Sequence, residues 1–141
     1  MKIQSLYCKM GESSCLALDY IYYLCPKKAT DFEKDCFLTA SLLSVHEAGI
    51  IDDDMFVTDA VKLLEYLDPT NKYTVAKKDI TSMTELKGTK GTVRFDYNGF
   101  SHWVYQEDGI ILFDSLDNSK CRKYGKPVSA RIITKKDKEN K

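Results

Sequence analysis

The chain has 141 residues, 21 Lys+Arg against 21 Asp+Glu, and no formal net charge. That length fits one domain. The charge balance excludes nucleic-acid binding driven by phosphate neutralisation, which needs a basic face. A hydrophobic fraction of 43% with 30% charged residues belongs to the globular class rather than the disordered one. No run approaches the roughly 20 apolar residues of a membrane helix. Met1 to Tyr7 also lack the apolar centre of a signal peptide. The expectation is a single cytoplasmic domain over residues 1–134, with no membrane or nucleic-acid partner and a disordered basic tail over 135–141.

In chain order, the first half reads helical and the second half as strands, the pattern of an α+β domain. Ser13 and Ser14 are good N-caps. Leu16, Tyr20, Tyr23 and Leu24 then share a helical face that Cys25-Pro26 ends. Thr30-Asp31-Phe32-Glu33 fits a capping box. Behind it, Phe32, Cys36, Phe37, Ala40, Leu43 and Ala48 run to a stop at Gly49, with Leu38, Leu42 and Val45 on other faces. A third helix is expected from about Thr58 to Leu67, on the stripe Ala60, Leu63, Leu64 and Leu67. Asp52-Asp53-Asp54 before it reads as a solvated turn, because oxygen ligands at the offsets a metal needs are missing.

The expected strands are 73–76, 92–97, 101–106, 110–113 and 128–134. Asn98-Gly99 is the strongest hairpin signal in the chain and Asp108-Gly109 marks a second turn, so 97–113 reads as part of an antiparallel meander.

The five cysteines, Cys8, Cys15, Cys25, Cys36 and Cys121, are odd in number, irregularly spaced and contain no Cys-x-x-Cys pair. That excludes a disulfide framework and a structural zinc site. Cys15 has the most suggestive address. In a first helical turn the free N–H groups and the helix dipole favour a thiolate and should lower its pKa. The helix start alone, however, favours the plainer reading of a small apolar residue. Cys36 falls mid-helix and reads as core. Of the two histidines, His46 lies inside the second helix and reads as structural. His102 heads a strand. A hairpin turning at Asp108-Gly109 brings Asp114 back near His102, within reach of a His–carboxylate bond. Asp117 or Asn118 would replace Asp114 if the register slipped.

The order of a cysteine at a helix start, three helices, and then Gly-Phe-Ser-His-Trp-Val-Tyr-x-x-Asp-Gly-Ile-Ile-Leu-Phe-Asp-Ser resembles the papain-like cysteine peptidase superfamily. It is most similar to the small peptidases that process bacteriocin leaders, and to a plasmid- and phage-associated bacterial family of uncharacterised proteins. The resemblance covers roughly residues 9–134. It implies a papain-like fold, with N-terminal helices followed by a twisted antiparallel sheet, and a cysteine peptidase or amide hydrolase acting on a peptide or protein. Cys15 would be nucleophile, His102 base and Asp114 orienter, with no cofactor. Deamidases and transferases share this acyl-enzyme chemistry. Where such enzymes carry a glutamine six residues before the cysteine, Lys9 stands here as the candidate oxyanion donor, and the following glycine is Leu16. That departure supports the alternative of a catalytically inactive papain-like domain that binds peptides or proteins.

Overall fold

The computed structural model describes residues 13–116 and 119–136. Within them the chain is α+β: α1 (Cys15–Leu24), α2 (Asp31–Glu47), α3 (Ala60–Leu67), β1 (Tyr73–Asp79), β2 (Lys90–Tyr97), β3 (Phe100–Glu107), β4 (Ile110–Phe113), α4 (Lys120–Tyr124) and β5 (Lys126–Lys135). A 3₁₀ turn, Met83–Leu86, joins β1 to β2. All neighbouring strands are antiparallel, in the order β1-β5-β2-β3-β4. The β2-β3-β4 meander stands as expected, but β5 returns to insert between β1 and β2. It runs through Lys135, and the Lys136 N–H bonds the Lys72 carbonyl, so the first two residues assigned to the tail are ordered against β1.

Local chemistry accounts for most element ends. At α2 both halves of the capping box form: the Thr30 N–H donates to Glu33 Oε1 at 2.9 Å and the Glu33 N–H to Thr30 Oγ1 at 3.1 Å. α3 starts at Ala60 rather than about Thr58, with Asp59 as its cap, the Asp59 carboxylate accepting from the Lys62 N–H. Ser14 occupies the N-cap of α1, yet its side chain makes no capping bond, contrary to the serine-cap expectation. The hairpin turns carry positive φ at Asn98 and Gly99 and at Asp108 and Gly109, the backbone that two-residue primed turns require. Gly91 is needed for a different reason: a Cβ there would sit 1.9 Å from the Arg131 carbonyl oxygen across the β2–β5 ladder.

Two apolar clusters sandwich the sheet. One face holds Ala17, Tyr20 and Ile21 of α1, Leu38, Leu42 and Val45 of α2, Leu63 and Leu64 of α3, and Tyr73 and Ile133 from the sheet. Each fully buried leucine contributes about 1.5–3 kcal/mol. The other face holds Ile80, Leu86, Val93, Phe95, Val104 and Ala130. The buried face of α2 is therefore the 38/42/45 stripe. Phe32 is 77% exposed and Cys36 is exposed, which corrects the expected core face and the placing of Cys36 in the core. The 38/42/45 stripe wins because it is the side that α1 and α3 cover.

Candidate active site

A β-bulge builds the site. The second hairpin starts in the simple register, with Glu107 opposite Ile110 and Gln106 opposite Ile111. Continued unbroken, it would set Asp114 opposite Trp103, on the wrong face of the sheet for His102. The register shifts by one between Gln106 and Tyr105, so that Tyr105 pairs with Phe113. Continued past Phe113, the shifted register sets Asp114 across from Val104, on the same face as His102. Stacking of Tyr22 on Phe113, with centroids 4.6 Å apart, holds the shifted residue against α1.

The result is a buried pair: His102 Nε2 lies 2.6 Å from Asp114 Oδ1, with side-chain exposures of 4% and 1%. Asp114 also accepts from the Leu116 N–H (3.0 Å), the Ser119 N–H (3.3 Å) and the Ser119 hydroxyl (2.9 Å), and Arg122 Nη1 stands 3.8 Å away. Burial pushes this carboxyl up. The hydrogen bonds from His102, Leu116 and Ser119 outweigh it, and the net position is below the usual carboxylate range. An ionised Asp114 can only accept, so His102 Nε2 carries the hydrogen and Nδ1 is left as an acceptor. Ser119 is a site residue that sequence reasoning missed. Its signal is the N-cap of α4, where its hydroxyl also accepts from the Arg122 N–H.

Cys15 is the first residue of α1 and is half-buried. Backbone N–H groups of Trp103, Leu16 and Cys15 itself act on its sulfur. The thiol therefore stands against β3 beside the residue that follows His102. Burial nevertheless pushes the thiol up, more than the three amides pull it down, and a charge on Asp19 would push it further. The expected lowering of the Cys15 pKa does not occur, because desolvation exceeds what a helix start supplies. Among the described residues no side-chain hydrogen bond joins Cys15 to His102.

His102 also lines a groove of about 520 Å³, whose walls include Tyr97, Phe100, Leu116, Lys120 and Cys121. Phe100 is 73% exposed and Leu116 54%. Cys15 is not one of its walls. Lys9, Cys8, Asp117 and Asn118 lie outside the described residues. His46 Nε2 is 3.2 Å from Asp53 Oδ1. In the acidic turn, Asp52 accepts from the Asp54 and Phe56 N–H groups, so the segment folds on its own backbone. Among the described residues no helix is long and apolar enough to cross a membrane.

No curated protein and no solved structure matches the chain. The model of one family, DUF261, described as a protein of unknown function, matches residues 2–135. On that match, spanning nearly the whole chain, the protein belongs to the DUF261 family.

Proposed function

We propose that this protein is a papain-like cysteine hydrolase that cleaves peptide or related amide bonds with Cys15, His102 and Asp114. The observation that carries the proposal is the buried 2.6 Å bond from His102 Nε2 to Asp114. It fixes the imidazole with Nδ1 as its free acceptor, on a strand whose next backbone N–H faces the Cys15 thiol. In the reaction His102 Nδ1 takes the thiol proton, and the Cys15 sulfur attacks the carbonyl carbon. The imidazolium, stabilised by Asp114, then returns the proton to the leaving amine. Water hydrolyses the thioester by the same base. The upward push on the thiol makes the base necessary, since little thiolate forms unaided at neutral pH. The Cys15 N–H is one donor for the developing oxyanion, and Lys9 stands as a second candidate. The apolar groove beside His102 suits a large apolar side chain of the substrate.

A second reading, a catalytically inactive domain that binds peptides, is favoured by the absent thiol–imidazole bond. A fluorogenic peptide library separates the two. The hydrolase reading expects cleavage by the wild type and none by Cys15→Ala. Equal peptide binding by both proteins, with no member cleaved, would replace it with the binding module.

A further inference from the structure

Among the described residues, Asp19 is the one acidic side chain sealed inside the helix-facing core, at 0% exposure. It sits one helical turn after Cys15, on the same face of α1. Its Oδ2 lies 2.5 Å from Thr92 Oγ1 on β2, and among the described residues Oδ1 has no hydrogen-bond partner. Thr92 Oγ1 is also 3.2 Å from the Val104 carbonyl oxygen on β3. A hydroxyl has a single hydrogen. It cannot serve a carboxylate and a carbonyl at once. Both contacts are satisfied if the carboxyl brings its own proton: Asp19 Oδ2–H donates to Thr92 Oγ1, and Thr92 Oγ1–H donates to the Val104 oxygen. Oδ1 is then a carbonyl oxygen, the cheapest atom of the group to leave unbonded, whereas a bare carboxylate there would be a buried charge with one partner.

We infer that Asp19 is a positioning residue held as a neutral acid, tying the first turns of α1, and with them Cys15, to β2 and β3 without placing a charge beneath the site. The inference rests on reading Cys15 as the nucleophile. It assigns a role to a group that the cleavage chemistry does not touch.

The surroundings agree. Burial and the nearby Asp114 charge push the Asp19 carboxyl up well above the usual range, against the pull of Thr92. An Asp19 charge would also act on Cys15 and Tyr20, both on its own helix. Arg94 and Arg131, on the sheet, lie over the Trp103 ring at 6.0 and 5.0 Å. Arg94 is paired with Asp96, and Arg131 is bonded to Ser129 Oγ and the Ala130 carbonyl. Among the described residues, Asp114 is the charged group that acts on Asp19. The sign follows. The folded state keeps a proton that the unfolded chain loses above about pH 4. Stability from this group is therefore full below that value and declines as pH rises toward the folded pKa.

Carboxyl ¹³C NMR of aspartate-labelled protein tests this directly, together with the pH dependence of Cys15 alkylation. At pH 7 one aspartate carboxyl should show the protonated shift, and it should vanish in Asp19→Asn. The apparent Cys15 pKa of that variant should match the wild type, because one neutral group has replaced another. If Asp19→Asn does not fold, Thr92→Val makes the assignment, since it should move the protonated signal alone. Two results would overturn the inference: every aspartate ionised at pH 7, or a Cys15 pKa lower in Asp19→Asn by about one unit or more. Neither readout depends on peptide cleavage, so failure of the hydrolase reading would appear separately.

Discussion

Replacing Asp114 with alanine is expected to destabilise the fold by about 3–5 kcal/mol, because several buried donors lose a charged acceptor at once, each at about 1–3 kcal/mol. The basis is the number of donors that lose their acceptor: His102 Nε2, the Leu116 and Ser119 backbone N–H groups and the Ser119 hydroxyl. Asparagine should recover only part of this. One amide oxygen can still face His102, but its NH₂ would then meet the Ser119 donors, each unpaired group costing about 1–3 kcal/mol. The loss should depend on pH with a definite sign. The Asp114 carboxyl is held below the ordinary range, so its contribution is full above roughly pH 4, the unfolded value, and fades as pH falls through the folded one. Urea unfolding of wild type and Asp114→Ala at pH 7, and again at acid pH, measures both parts. A difference below about 1 kcal/mol at pH 7 would mean that the pair is exposed to water and weak.

The second large effect concerns catalysis. His102→Ala should lower kcat/KM for a cleaved peptide by about 10²–10⁴-fold, the range that a positioned general base contributes. The imidazole is not exchangeable with a solvent base here, because it is 3% exposed and anchored at Nε2. The effect should fall on kcat, since proton transfer belongs to the transition state rather than to substrate binding. A change confined to KM would assign His102 to the wall of the apolar groove and remove it from the chemistry.

Much of this was legible because local signals carry long distances in a small fold. Thr30 and Glu33 set the start of α2, and Asn98-Gly99 and Asp108-Gly109 set both hairpins. With two histidines in the chain, one inside a helix, His102 stood out and Asp114 followed from the turn. What escaped was tertiary. The bulge at Tyr105/Gln106 leaves no mark in sequence, yet the simple register would have put Asp114 on the opposite face. The strand order escaped too, because the pairing partners of β5 lie far back in the chain. The stripe Leu38, Leu42 and Val45 and the chain of Phe32, Cys36 and Leu43 are similarly spaced, and only the packing of α1 and α3 decides between them. Nothing in the sequence singles out Asp19. Its meaning lies in Thr92, 73 positions away. The Cys15 pKa escaped because a helix dipole is read from sequence, whereas burial is not.

The central claim is that Cys15 and the His102–Asp114 pair act as one unit. The rate of iodoacetamide alkylation at Cys15, mapped by mass spectrometry across pH in wild type and His102→Ala, tests it most directly. Burial alone would leave the thiol slow at neutral pH, and in the proposed mechanism the imidazole takes its proton. The wild type should therefore react at least about ten-fold faster than the variant at pH 7, a gap that closes once pH exceeds the thiol's own pKa. Identical profiles in the two proteins would contradict the account.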